Sequence, residues 1–240
     1  MLKVCLNGDR PPRERVPVTP VQLAEAARAA VDAGASAIHV HPRGDLGRES
    51  LDGGLILRTL DAIRELVPSV PVGVSTREAI CPDARERLAL VREWAGPEDG
   101  GPDFASVNWH ETGSVDVARM LRARGIGVEA GIWTPTAASV FIASHWPWQV
   151  ERVLVEAIPG HTPGSDGVWA VERVLTALGR QPAPVLVHGE GRWTWPVLRW
   201  AQKHRYDTRI GLEDTLVDEA GLRVRTNGEL VSAALAVHHR

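Results

Sequence analysis

The chain has 240 residues, of which 44% are hydrophobic and 24% charged, and its formal net charge is −3 at pH 7. This length suits one sizeable core, so we expect a single domain over residues 1–240. The slightly negative balance argues against nucleic acid or a membrane surface as partner, because proteins that bind either usually carry a basic face or tail. We therefore expect a small-molecule partner.

Cysteine content and the absence of long apolar runs bear on the compartment. Cys5 and Cys81 are the only cysteines, and two isolated cysteines form neither a disulfide framework nor a CxxC metal site. The first residues lack the pattern of a secretory signal, and no apolar run is long enough to span a bilayer. These features predict a cytoplasmic protein.

The first two predicted elements are a strand at 3–7 and a well-marked helix. The helix is expected from about Thr19 to Ala33, with Thr19 as N-cap and Gln22 completing a capping box. Apolar residues recur at helical spacing inside it, and Gly34 follows as a stop.

Short runs rich in Val and Ile then alternate with helical patterns to the end of the chain. Ser114 and Thr134 mark further helix starts, and Gly125 marks a helix end. No glycine-rich dinucleotide motif follows the first strand, so eight βα units predict an α/β fold of the single (β/α)8 TIM-barrel type rather than a doubly wound sheet. The remaining strands are predicted at 37–41, 70–76, 104–108, 127–132, 151–157, 184–188 and 207–213.

Polar side chains collect where these strands end. Active sites of such barrels lie at the carboxyl ends of the strands, and buried charges there are costly unless they are paired or bound to a metal. We therefore expect a site built from residues of this kind: Asn7, His39, His41, Ser75, Ser106, Asn108, Glu129, His188, Glu213 and Asp214.

His39 and His41 are the most informative pair. Alternate side chains of a strand share a face, so the two imidazoles are spaced to bind one metal. Glu213 is the natural third ligand, because strand 8 lies near strands 1 and 2 in a closed barrel. Two imidazoles and one carboxylate leave a position open for substrate, as in catalytic zinc sites. A capping role for Glu213 is the alternative.

Other groups at the strand ends have more than one interpretation. Arg209 shares strand alternation with Glu213, so it is expected to point inward, where it would bind a substrate carboxylate or orient Asp214. A structural salt bridge is the alternative. Neutral hydrogen bonds from Ser75, Ser106 and Asn108 suit a substrate oxygen or the local backbone.

The loop Gly189-Glu190-Gly191-Arg192 follows strand 7. In many barrels a loop at this position binds phosphate through backbone N–H groups, which makes Gly189, Gly191 and Arg192 candidates for binding a phosphate group. A tight turn explains the glycine spacing equally well.

Five motifs in order give the chain a family resemblance: His39-Val40-His41-Pro42-Arg43, Gly73-Val74-Ser75-Thr76, Ser106-Val107-Asn108, Gly189-Glu190-Gly191-Arg192-Trp193 and Arg209-Ile210-Gly211-Leu212-Glu213-Asp214. Together they resemble the β-keto acid cleavage enzymes, over nearly the whole chain. The resemblance implies a TIM barrel with Zn²⁺ on His39, His41 and Glu213. It also implies catalytic roles for Arg209 and Asp214.

The resemblance further implies a reaction and a substrate-binding set. A β-keto acid is condensed with acetyl-CoA, giving acetoacetate and the CoA thioester of the remaining acyl group. Asp214, aligned by Arg209, is our hypothesis for the base. A homo-oligomer is expected, with a tetramer as the first guess. The substrate-binding residues are assigned as Ser75, Ser106, Asn108, Asn7, Glu129 and Arg43.

Departures from the family pattern leave several points open. The loop after strand 1 is short, so either Asp9 or Glu14 replaces a family acid there. Gly131 stands where family members carry a second glutamate, which argues against an aminated keto acid. The identity of the substrate and of the divalent ion stays open. An amidohydrolase-like zinc hydrolase and a non-catalytic metal-binding barrel are the alternative functions.

Overall fold

The computed structural model describes residues 1–161 and 166–237. Across these residues eight strands, all paired in parallel, alternate with eight α-helices. The strands are β1 (Leu2–Cys5), β2 (Ala37–Val40), β3 (Val72–Ser75), β4 (Phe104–Asn108), β5 (Gly127–Ile132), β6 (Arg152–Ala157), β7 (Val185–Gly189) and β8 (Thr208–Ile210). The helices are α1 (Pro20–Asp32), α2 (Gly53–Leu66), α3 (Ala84–Arg92), α4 (Ser114–Ala123), α5 (Pro135–Ala143), α6 (Gly167–Leu178), α7 (Thr194–Lys203) and α8 (Asn227–Val237).

The sheet curls into a nearly closed barrel. Strands pair in the order β7-β6-β5-β4-β3-β2-β1-β8. The remaining seam is bridged where Leu186 pairs with Asp207, and the Val187 N–H donates to the Asp207 carbonyl at 2.9 Å. The predicted (β/α)8 barrel is confirmed.

Helix starts follow the local sequence signals. The Thr19 side chain accepts from the Gln22 N–H while the Gln22 side chain accepts from the Thr19 N–H, which is the predicted capping box. Thr134 caps α5 through the Ala137 N–H. Ser114 is the first residue of α4, after Gly113 in the left-handed conformation. None of the described helices combines the length and apolar character needed to cross a bilayer.

Strand β8 is shorter than predicted. The chain turns after Ile210, since the N–H groups of Asp214 and Thr215 both donate to the Gly211 carbonyl. A Cβ atom at Gly211 would lie 1.9 Å from the Cys5 carbonyl oxygen, so glycine is needed where the turn crosses β1. Glu213 and Asp214 therefore lie on a turn, and the strand alternation used to relate Arg209 to Glu213 does not apply.

The amino-terminal end of the barrel interior holds an ion-pair network. Lys3 Nζ lies 2.5 Å from a Glu129 carboxylate oxygen, and Arg152 Nε lies 3.2 Å from the other. Arg152 also pairs with Asp207 at 2.5 Å. Because β1 and β5 are not neighbours in the sheet, the contact between Lys3 and Glu129 crosses the barrel interior. This network occupies one end of the barrel and leaves the other end for the site.

Candidate active site

A polar cavity of about 100 Å³ lies at the carboxyl ends of the strands. This is the end at which barrels of this type carry their active sites. Seven of the residues assigned to the site from the sequence line it: His39, His41, Ser75, Ser106, Asn108, Arg209 and Glu213.

Three donor side chains converge on one side of the cavity. The Nε2 atoms of His39 and His41 are 3.0 Å apart, and His41 Nε2 is 3.7 Å from Glu213 Oε2. Ligand atoms around a tetrahedral zinc ion lie roughly 3.3 Å from one another, given metal–ligand bonds of about 2.0–2.1 Å. The spacing therefore suits one divalent cation.

The protonation state of His39 and the orientation of His41 also suit metal binding. Burial lowers the pKa of His39 well below its usual range, which keeps the imidazole neutral. His41 Nδ1 is paired with the Glu49 carboxylate, which turns Nε2 toward His39. Carboxylates often orient metal-bound histidines in this way. Glu49 was not assigned to the site from the sequence, although an acid shortly after a metal-binding pair is a usable signal.

Glu213 is held in its charged form. Burial alone would raise the pKa of this carboxyl, but Arg209, His41 and His39 together lower it below its usual range. Its Oε1 atom accepts from Arg209 at 3.0 Å, while Oε2 is buried and has no hydrogen-bond partner among the described residues. A buried carboxylate oxygen without a partner beside two imidazoles is the arrangement that a bound cation would satisfy.

Arg209 and Asp214 form a buried pair. Asp214 Oδ1 accepts from Arg209 Nη2 at 2.9 Å and from Nε at 3.2 Å. Burial opposes the charge of Arg209, but Asp214 and the other nearby acids raise its pKa above the usual range. Within the described chain, Asp214 Oδ2 is buried and accepts no hydrogen bond. Arg209 lines the cavity, whereas Asp214 is fully buried behind it.

Glu190 is a further carboxylate on the cavity surface. It follows β7, and its Oε1 lies 3.5 Å from Arg209 Nη2. Burial raises the pKa of Glu190 to about 8, with Asp214 and Glu213 acting in the same direction and Arg209 against it. It belongs to the predicted Gly189–Arg192 loop but was not itself assigned to the site.

Asn7 and Arg43 support the site without lining the cavity. The Asn7 side chain accepts from the His41 N–H and donates to the His41 carbonyl, each at 2.9 Å. Arg43 donates to the carbonyls of Gly8 and Arg10, each at 2.6 Å. These hydrogen bonds tie the two side chains to nearby backbone, although Arg43 Nε is buried without a hydrogen-bond partner among the described residues. The geometry favours a positioning role for Asn7 and Arg43 over the predicted direct contact with substrate.

Glu129 lies away from the cavity, in contrast to its assignment to substrate binding. Its two carboxylate oxygens pair with Lys3 and Arg152 in the network at the opposite end of the barrel. Gly131 lies two residues nearer the site, on the same face of β5 as Glu129. A Cβ there would lie 2.7 Å from Glu156 Oε1, so the carboxylate of the next strand fills the space beside this glycine.

The loop after β7 has internal partners for much of its backbone. The N–H groups of Glu190, Gly191 and Trp193 donate to the carbonyls of Ala157, Asp214 and Glu190. Gly189 lies against Trp193, whose carbonyl oxygen would be 2.7 Å from an added Cβ. Arg192 is exposed, with its guanidinium 5.1 Å from the centre of the Trp193 ring. The loop offers phosphate this one side chain rather than a row of free N–H groups.

Asp9 and Glu14, the two acids of the loop after β1, lie at different distances from the cavity. Asp9 lines the cavity and pairs with Arg77 at 2.8 Å. Glu14 pairs with Arg10 at 3.1 Å, outside the lining of the cavity. Asp9 is therefore the acid of this loop that reaches the site.

Glu156 and His161, in the far wall of the cavity, were not assigned to the site from the sequence. Glu156 on β6 accepts from His188 Nε2 at 2.8 Å and from Trp133 Nε1 at 3.1 Å. Burial opposes the charge of Glu156, but its bonds to His188 lower its pKa. His161 lies beside Trp133, with ring centres 5.4 Å apart. A glutamate in the buried run Arg152–Ala157 carries the same signal that identified the other strand ends.

Comparison with known proteins agrees with this geometry. A family model described as beta-keto acid cleavage enzyme matches residues 1–240. The chain is 27% identical to a 3-keto-5-aminohexanoate cleavage enzyme of Acetoanaerobium sticklandii, over 90% of this chain and 82% of that protein. It is 32% identical to a 3-oxoadipate:acetyl-CoA acetyltransferase of Cupriavidus necator, over 99% of this chain and 87% of that protein.

Likeness among solved structures is a likeness of fold alone. A 3-dehydroquinate dehydratase from Geobacillus kaustophilus superposes with a TM-score of 0.60 at 13% identity, over 100% of this chain and 92% of that one. The family match over the whole chain, the two relatives and the convergent His39, His41 and Glu213 donors lead to one conclusion: the chain belongs to the β-keto acid cleavage enzymes, as the sequence motifs predicted.

Proposed function

We propose that the protein is a zinc-dependent enzyme that condenses a β-keto acid with acetyl-CoA, yielding acetoacetate and a new acyl-CoA. Family membership supports the cleavage of a β-keto acid, and the name of the Cupriavidus relative supports acetyl-CoA as co-substrate. The observation that carries the proposal is the convergence of His39, His41 and Glu213 beside Arg209 in a polar cavity.

The three donor side chains would hold the metal and leave a coordination position for substrate. A divalent metal such as Zn²⁺ held there would supply polarisation of the β-keto oxygen and charge stabilisation for the enolate. Zinc is our assignment, and other divalent ions accept the same ligands. Ser75 and Ser106, which line the cavity, would donate hydroxyl hydrogen bonds to the substrate carboxylate. The Asn108 amide already donates to Glu111 at 2.8 Å, so it would contribute its remaining N–H.

Asp214, aligned by Arg209, is proposed as the base that removes the α-proton. The buried Oδ2 atom has no hydrogen-bond partner in the described residues, so it is available to accept this proton. Because Arg209 stands between Asp214 and the cavity, its guanidinium must move aside or relay the proton. This requirement makes the two residues one functional unit.

The reaction then balances without a covalent enzyme intermediate. The α-carbanion attacks the acetyl carbonyl of acetyl-CoA, and CoA thiolate leaves. The thiolate attacks the original β-keto carbonyl, and the bond between that carbon and the α-carbon breaks. The acyl group departs as its CoA thioester, and the released acetoacetate enolate regains a proton. Arg209, beside the cavity, would stabilise the developing negative charge.

The geometry does not favour the hydrolase alternative. Such a site would use His188 as a further ligand, but His188 Nε2 is bound to Glu156 and its Nδ1 faces Asp214 at 3.6 Å. Neither nitrogen joins the described cluster of His39, His41 and Glu213.

Mass spectrometry of CoA thioesters tests the proposal. The purified protein is incubated with acetyl-CoA and a panel of β-keto acids, and a new thioester should form in step with acetoacetate. Glu213→Gln is the matched control and should give no product. If the metal-loaded protein forms no thioester from any acid, the condensation is excluded for that panel and hydrolysis is assayed next.

Oligomeric state and location stay predictions. Four apolar side chains of the α5–α6 region are exposed, namely Val140, Ile142, Trp148 and Trp169. A homo-oligomer would cover them, and light scattering of the purified protein measures its mass directly. The cytoplasmic location is proposed on the two isolated cysteines alone.

A further inference from the structure

A second, arginine-lined cleft lies beside the active site. It consists of two adjoining hollows of about 660 Å³ and 290 Å³ that share Arg15, Leu212 and Arg225. The cleft runs between the loop that follows β1 and the turn that precedes α8. Both volumes are of the size that holds small ligands.

The cleft concentrates positive charge on an otherwise acidic chain. Three exposed guanidinium groups line it, those of Arg15, Arg223 and Arg225. None of the three pairs with a carboxylate of the described residues within 4.0 Å. Of the acids near them, Glu14 is already paired with Arg10 at 3.1 Å, and Glu229 accepts from the Arg225 backbone N–H at 2.8 Å. Guanidinium groups bind phosphate through paired N–H donors, so the cleft suits a multiply charged anion.

The floor of the cleft is apolar. Leu212 and Val224 lie beneath the arginines, and Val16 and Val18 line the larger hollow. A flat, largely apolar ring could therefore lie in the same cleft as the phosphates, with the ring against these side chains. Glu25 lines the larger hollow only, so its negative charge would repel anions from that side of the cleft.

The cleft and the active-site cavity are joined by continuous chain. Leu212 lines the cleft, and the next residue, Glu213, lines the cavity. Arg10 links the two as well, because it donates to the Glu213 carbonyl at 3.0 Å and pairs with Glu14. A ligand with a reactive group at one end and phosphates at the other could occupy both places at once.

We infer that this cleft binds the 3′-phosphate-ADP end of coenzyme A, with Arg15, Arg223 and Arg225 on the phosphates and the adenine over Leu212 and Val224. The pantetheine arm then runs past Arg10 and delivers the thioester to the cavity. The inference rests on the proposed use of acetyl-CoA. It replaces the loop after β7 as the phosphate site, because the backbone N–H groups of that loop have internal partners.

Charge reversal in the cleft tests the inference. Arg223→Glu and Arg225→Glu should each raise the KM for acetyl-CoA about tenfold or more, since each removes a charge-assisted phosphate contact, and leave kcat unchanged. The KM for acetyl-pantetheine, which lacks the nucleotide, should stay at the wild-type value. Arg180→Glu is the matched control: Arg180 is exposed between α6 and β7, at the opposite end of the barrel, and its reversal should change neither KM.

A direct binding measurement separates this inference from the proposed reaction. Adenosine 3′,5′-bisphosphate is titrated into wild type and variants by calorimetry, which needs no turnover. Binding to wild type that both cleft variants lose supports the cleft even if no β-keto acid is converted. Binding that survives in both variants, or an unchanged KM for acetyl-CoA in a turning-over enzyme, overturns it. Arg225→Gln is a milder variant that should show a smaller rise in the KM for acetyl-CoA. Circular dichroism of each variant checks that the fold is intact.

Discussion

The two carboxylate oxygens of Glu213 have different surroundings. Oε1 accepts from Arg209, whereas Oε2 faces His41 without a hydrogen-bond partner in the described residues. Glu213→Gln keeps the shape but removes the charge, so we expect metal content after chelator-free purification to fall from near one equivalent to near zero. Elemental analysis by plasma mass spectrometry measures this. Full metal retention would remove Glu213 from the ligand set.

Glu49 gives a graded companion test. It orients His41 from behind rather than offering a ligand atom. Loss of such outer partners typically weakens metal binding by about 10–100-fold. Glu49→Gln should therefore bind metal with an affinity reduced in this range, measured by competition with a chromogenic chelator. An affinity equal to that of wild type would show that Asn7 and packing suffice to orient His41.

The buried pair of Arg209 and Asp214 predicts a loss of rate with metal retained. Asp214→Asn keeps a hydrogen-bond acceptor for Arg209 but cannot take a proton. We expect kcat to fall by about 10²–10⁴-fold, the range for a missing general base, with near-normal metal content. Glu190 lies on the cavity surface, so Glu190→Gln is the comparison, and it should lower kcat by less than Asp214→Asn does. If Glu190→Gln proves the more damaging change, the base is Glu190.

At the scale of elements, the turn after β8 positions both acids. Its position depends on Gly211, where a Cβ would meet the Cys5 carbonyl. Gly211→Ala should push the turn off β1, lowering stability by about 1–3 kcal/mol and weakening metal binding with it. Gly44→Ala is the control, because the nearest atom to its added Cβ is 3.8 Å away and its φ of −81° suits alanine. Thermal unfolding compares the two, and equal melting temperatures would contradict the role given to Gly211.

The same turn shows what the sequence can predict. Strand number, the cap of α1 and the histidine pair follow from contacts between residues near in sequence, and all were predicted. The end of β8 depends on the close approach of Gly211 to Cys5, about two hundred residues away in the chain, and was placed too late. Glu129 was assigned to the wrong end of the barrel for a related reason, since its partner Lys3 lies on a strand across the interior.

At the scale of the whole molecule, the barrel separates a charged network at its amino-terminal end from the site at its carboxyl end. The network joins Lys3, Glu129, Arg152 and Asp207, and the amino group of Met1 pairs with Asp207 at 2.6 Å. Residues from the start of the chain, from β5 and β6 and from the segment before β8 thus meet at this end of the barrel, with Lys3 and Glu129 buried. A complete buried ion pair contributes little to the net free energy of unfolding. Removing one partner is costly, because it leaves the other charge buried and uncompensated.

Glu129→Gln tests the separation of stability from catalysis. It leaves Lys3 without a carboxylate partner in the described residues, so the free energy of unfolding should fall by about 3–5 kcal/mol. Because Glu129 does not line the cavity, the KM for the β-keto acid should stay within about twofold of wild type at a temperature where the variant is folded. Denaturant unfolding and steady-state kinetics measure the two quantities. A raised KM with unchanged stability would instead make Glu129 a substrate-binding residue and reverse the role that its ion pairs give it.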